Sequence, residues 1–186
     1  TKIAFNAADP ILARDAEARR LLKEAGLTHL GGPMLGAVRE DGASVWLRTL
    51  GPAKVEVRVS VDGQEKTFGP VQSSEQTDLS AVVAVTGLKP ATRYPYRVLV
   101  DGKAIAVSAA CTLTTAPAAG PAKARVAFGS CFHRWGLGNP RQAEAVCKRE
   151  PTALLVYGDI AVQDRDAHLG LHRADYLLRD FHPAWQ

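Results

Sequence analysis

The sequence contains no long hydrophobic run. No stretch of its 186 residues is apolar enough to cross a bilayer as a helix, so no membrane span of that kind is expected. Its three cysteines, Cys111, Cys131 and Cys147, form no CxxC pair, which argues against a zinc ribbon and a dense disulfide scaffold. The phosphate-cradling GxxxxGKS or GxxxxGKT loop is missing, and so is the GxSxG turn of serine hydrolases. A cysteine-based phosphatase needs Cys-x5-Arg, but the sixth residue after Cys131 is Leu137. His168 and His172 have the spacing of a metal-binding helix face without the Glu of HExxH, and a solvated face explains them. Aromatic residues are only 6%, and the scattered basic residues show no aromatic interleaving of the kind single-strand binders use. A formal charge of +4 therefore favours anionic ligands mildly and nucleic acid not at all. What remains, 46% hydrophobic and 23% charged, is an ordinary globular chain long enough for one large or two small cores.

Hydrophobic periodicity divides that chain. From Asp9 to Gly26, Ile11, Leu12, Ala16, Ala18, Leu21, Leu22 and Ala25 recur at helical spacing with charges of both signs between them, which predicts an amphipathic helix. From Gly32 to Thr115 the period becomes two. Val55, Val57, Val59 and Val61 alternate with Glu56, Arg58 and Ser60 and end at Asp62-Gly63, a hairpin signal that returns at Asp101-Gly102. Strands are expected around Val45–Arg48, Val55–Val61, Ala81–Val85 and Tyr94–Val100, with a last one from Ile105 to Leu113 in which alternation buries Cys111. Short strands with regular turns indicate an all-β sandwich of immunoglobulin or fibronectin III type over 32–115, after a helical segment over 1–31. In GLKPATRYPYRV, Tyr94 matches the corner tyrosine of such sandwiches, with a structural role. Residues 116–123, APAAGPAK, read as a linker.

Beyond the linker the pattern changes again. Val126–Phe128 is an apolar run stopped by Gly129, and Ala153–Tyr157 is a second one stopped by Gly158. Between them Asn139 suits a helix cap, Pro140 a first helical position and Pro151 the residues past the end. Strand, helix and strand make a βαβ unit with parallel strands, so Cys131 and Asp159 sit at the same sheet edge, where open α/β sheets bind ligands. A thiolate and a carboxylate there can hold a metal ion. A Cys packed as a small hydrophobe and an Asp capping the next segment account for the two residues equally well. After Asp164, Leu171, Ala174, Leu177, Leu178 and Phe181 share one helical face suited to covering the sheet.

AFGSCF, VYGDIAVQD and HRADYLLRDFHPAWQ together resemble the opening of the catalytic domain of the alkaline phosphatase D (PhoD-like) metallophosphatases, which carry a β-sandwich ahead of it. The resemblance implies that 124–186 begins an α/β metallophosphatase domain that is incomplete at Gln186. It implies Cys131 as an iron ligand, Asp159 as a carboxylate shared between metal ions, and Asp164 as a further acidic residue of the site. The cofactors implied are divalent or trivalent ions, iron and calcium. Where the family carries a metal-binding Tyr, three residues after the Asp, this chain has Val162. Arg134 and Arg165 can hold phosphate oxygens, as can Arg173, and ordinary surface charge explains them as well.

The expected reaction is hydrolysis of phosphate mono- or diesters by a metal-activated hydroxide. The remaining ligands of the family have no counterpart before Gln186, so the isolated chain is expected to be inactive and to need the rest of the domain or a partner chain. The chain opens at Thr1 without an apolar leader, and the resemblance favours an exported, periplasmic or extracellular protein over a cytoplasmic one. The other reading is a non-catalytic binding module built on the sandwich.

Overall fold

The structure is a computed structural model and describes residues 16–107, 110–121, 123–131 and 140–158. They fall into two compact units, with the boundary in the chain between Gly120 and Pro121.

The first unit opens with helix α1, Ala16–Glu24. It stops before Gly26, whose φ of +72° is the left-handed conformation that ends helices. The expected start at Asp9 lies outside the described residues. Among its described side chains only Leu22 is buried, while Arg20 pairs with Glu17 and Glu24 along the helix.

Eight strands follow: β1 Gly31–Arg39, β2 Gly42–Arg48, β3 Ala53–Val61, β4 Gln64–Ser73, β5 Ser80–Val85, β6 Arg93–Val100, β7 Lys103–Ala104 and β8 Thr112–Thr114. One antiparallel sheet runs β1-β2-β5, and the other runs β4-β3-β6-β7 with β8 also paired to β6. This order is that of a fibronectin III-like sandwich. Strand alternation builds the core. Val45, Leu47, Val83 and Val85 face Val55, Val57, Val59, Tyr94, Val98 and Leu113, while Glu56, Arg97 and their neighbours turn outward. Both Asp-Gly pairs form the tight turns that the hairpin rule requires, with positive φ at Asp62 and Gly63 and again at Asp101 and Gly102.

The expected strand from Ile105 to Leu113 is reduced to its end: β7 stops at Ala104, before that span, and β8 starts only at Thr112. β7 pairs Ala104 with Leu99, whereas β8 pairs Leu113 with Tyr94. In an unbroken hairpin Arg93 would face Ala110, but it faces Thr114, four residues further on. The register thus shifts by four residues between the two pairings. Cys111 is therefore half-buried at the margin of the core and not a strand residue of it.

Gly32-Pro33 and Gly69-Pro70 lie on edge strands β1 and β4, each at a slip in register. A proline cannot donate to a ladder and is tolerated at such an edge, and a bulged edge resists pairing with another chain.

The second unit holds β9 Val126–Gly129, α2 Pro140–Cys147 and β10 Ala153–Val156. The two strands are parallel, with Val126 beside Ala153 and Gly129 beside Val156. Pro140 is the first residue of α2, where its missing N–H costs nothing. The proposed cap Asn139 lies outside the described residues. No described residue of this unit is buried, and Phe128 and Leu155, neighbours on one sheet face, are 72% and 56% exposed.

Candidate functional site

The parallel ladder continues past the strands that define it. Tyr157 N–H donates to the Gly129 carbonyl at 3.1 Å, and Cys131 N–H then donates to the Gly158 carbonyl at 3.2 Å. Cys131 is thereby held beside the glycine that stops the second apolar run, at the carboxyl edge of the sheet. Its side chain is exposed, with Sγ 3.6 Å from the Ser130 hydroxyl. Its φ of +60° is unusual for a residue with a Cβ and costs about 1–2 kcal/mol of backbone strain. Strain of this kind gathers at functional sites.

Asp159 is next in the chain after Gly158 but lies outside the described residues, as do Asp164, Arg134 and Arg165. So do Val162, Arg173 and every histidine except His29. Of the proposed metal ligands the structure thus describes Cys131. Among the described residues no group of three or more His, Cys, Asp or Glu is gathered to hold a metal. Cys131 fits one corner of such a centre: it is a soft donor, exposed, at the sheet edge. The role of the Gly158 carbonyl in holding it was not visible in the sequence, because backbone groups leave no mark in residue type.

The other cysteines have different settings. No disulfide joins any of the three. Burial pushes the Cys111 thiol up from its ordinary range, against the opposing effect of a hydrogen bond with Tyr96, so it is held as a neutral thiol. Burial, and then Cys111 beside it, raises Tyr96 in turn. Cys147 ends α2 and is exposed.

Tyr94 is 4% exposed, and its hydroxyl accepts from Lys89 N–H at 2.9 Å. Thr115 closes the same corner by donating to the Lys89 carbonyl at 2.6 Å and accepting from Thr92 N–H at 3.0 Å. This tyrosine ties β6 to the turn before it and touches no candidate site.

A cleft of about 300 Å³ lies between α2 and the starts of β9 and β10, lined by Arg125, Val126, Ala127, Gln142, Val146 and Arg149 among others. It lies at the amino ends of the strands, the opposite end from Cys131.

The fold is therefore a fibronectin III-like sandwich followed in the chain by a parallel βαβ unit. Comparison with solved structures gives the same architecture. The structure of PhoD matches over 85% of this chain with a TM-score of 0.61 and 17% identity. This chain spans only 36% of the length of that one. Fibronectin type III domains from the human KIAA0970 protein (19% identity, 58% of this chain, 87% of that one, TM-score 0.35) and from human fibronectin type III domain containing protein 3 (24%, 53%, 93%, 0.34) are also similar. A family model described as a domain of unknown function, DUF7800, matches residues 27–117. No curated protein matches the sequence significantly. Among the described residues no helix is long and apolar enough to cross a membrane.

Proposed function

We propose that this chain is the amino-terminal portion of a metal-dependent phosphatase of the alkaline phosphatase D type, and that its sandwich precedes a catalytic domain that opens with the βαβ unit described above. The observation that carries the reading is the exposed, left-handed Cys131 bonded to the Gly158 carbonyl at the sheet edge. The likeness in fold to PhoD across both units supports it. In this reading Cys131 and Asp159 are metal ligands, with Asp164 beside them, and Arg134 and Arg165 hold phosphate oxygens. A metal centre there would supply charge neutralisation and an activated water for phosphoryl transfer. The chain's own part is to present a sulfur donor at the sheet edge and to supply guanidinium groups for the ester. With so few donors, the polypeptide alone binds metal without turning over substrate.

The test is elemental analysis of the purified, mass-verified protein after dialysis against iron or calcium, with Cys131→Ala and Asp159→Ala beside it and a chromogenic phosphate ester as substrate. Bound metal that both variants lose, without turnover, is expected. Turnover by the 186-residue chain would contradict its inactivity. Absence of metal from the wild type would favour the second reading, a binding module built on the sandwich. That reading has its own observation: Met34, Trp46 and Val82, paired across β1, β2 and β5, form an apolar row on the outer face, with Met34 47% and Val82 53% exposed.

A further inference from the structure

His29 lies in the short segment between α1 and β1 and is 9% exposed. Its two ring nitrogens have partners of different kinds. Nε2 is 2.9 Å from the Gly32 carbonyl, and a carbonyl only accepts, so Nε2 carries the proton. Nδ1 is 3.0 Å from Thr28 Oγ1 and in the neutral ring is an acceptor, so the Thr28 hydroxyl donates to it. The same hydroxyl oxygen accepts from Ala106 N–H at 3.0 Å. A directed chain of hydrogen bonds thus runs from Ala106 through Thr28 and His29 to Gly32. It ties the segment behind α1 to the connection that follows β7, a point far away in the sequence.

Among the described residues, the same connecting segment is also tied by Leu30, which is 1% exposed and donates its N–H to the Arg48 carbonyl at 2.8 Å, whereas α1 itself is lightly held. Its buried contact among the described side chains is Leu22, and Arg20 spends its charge on Glu17 and Glu24 of the same helix. We propose that protonation of His29 unlatches this amino-terminal helical segment from the sandwich. An imidazolium donates from both nitrogens, so the Thr28 hydroxyl must turn from donor to acceptor and its own proton loses the ring as partner. The charge also has to sit in a site that burial has dried. Charged groups stand on the surrounding elements: Lys23 and Glu24 on α1, Arg39 at the far end of β1, Arg48 on β2 and Lys103 on β7. Arg48 is committed to Asp78, at 2.6 Å to its carboxylate and 3.1 Å to its carbonyl. The ring's own polar partners are the Thr28 hydroxyl and the Gly32 carbonyl, and neither is a carboxylate that would stabilise the cation.

Burial holds the histidine below its ordinary value of about 6.5, against the smaller opposing effect of the Gly32 bond. The closed latch therefore binds the proton more weakly than the open one. Above about 6.5 the latch is closed and insensitive to pH; below it the opening equilibrium rises by up to about tenfold per pH unit until the folded value is passed.

The experiment is NMR-detected amide exchange on the full chain between about pH 5 and about pH 8, normalised to intrinsic rates, with the His29 ring titrated in the same samples. Protection at the Ala106 amide is expected to fall as the pH drops below about 6.5 and to level off as the His29 ring of the closed form becomes protonated. The His29→Gln variant, which keeps a donor for Gly32 and an acceptor for Thr28, is expected to stay protected throughout. Unchanged protection of Ala106 in the wild type, or an equal acid loss in the variant, would overturn the proposal. If the variant does not fold, the wild-type titration decides: a loss of protection that levels off where the His29 ring titrates supports the latch, and a loss that continues below that point or bears no relation to it overturns the proposal.

Discussion

At the scale of single residues, one polar contact adds its own cost to the apolar area around it. The Tyr94 ring is buried in the core, and its hydroxyl is the acceptor for Lys89 N–H at the corner before β6. Tyr94→Phe keeps the ring and strands that donor. The expected cost is about 1–2 kcal/mol of unfolding free energy, read as a lower urea midpoint with an unchanged slope. Metal binding is expected to stay unaffected, since the residue is remote in role from Cys131. The corner was legible in GLKPATRYPYRV because spacing alone marks it. The polar knot at the other end was not: Thr49 and Ser73 are fully buried, 2.7 Å apart through their hydroxyls, and nothing in their sequence surroundings distinguishes them from surface Ser and Thr. His29 escaped notice for the same reason, since its partners are a backbone carbonyl and a neighbouring hydroxyl.

At the scale of elements, close approach decides which small residues are replaceable. Gly42 starts β2 where an added Cβ would collide with the Val85 carbonyl of β5, whereas nothing lies within 4 Å of such an atom at Gly51. Gly42→Ala is expected to cost about 1–3 kcal/mol by overpacking, and Gly51→Ala less than about 0.5 kcal/mol, measured by chemical unfolding. Equal effects at the two positions would contradict the close β2–β5 contact. Alternation predicted β3 well because one of its faces is buried for its full length. It misjudged the strand after β7 because a chain can keep an alternating pattern while its register on the neighbouring strand shifts by four residues, and only pairing reveals the shift. The parallel pairing of β9 and β10 was legible because a helical connection between two strands leaves few alternatives.

At the scale of the whole molecule, the two units differ in how complete they are. The sandwich buries a continuous core, whereas no described residue of the βαβ unit is buried. Parallel strands are ordinarily covered on both faces, so a unit with Phe128 and Leu155 exposed needs more chain against it than the described residues provide. In the function proposed above, the second unit opens a larger domain and Cys131 stands at its working edge. The three cysteines offer an internal comparison, because one is pushed towards the thiol form by burial, one ends a helix, and one stands at the sheet edge. Cobalt(II) titration of the full chain, followed by the near-ultraviolet thiolate-to-metal absorption, separates them. The account predicts a band that Cys131→Ala abolishes and that Cys111→Ala and Cys147→Ala leave in place. A band that survives Cys131→Ala, or none in the wild-type protein, would contradict a metal centre at that edge.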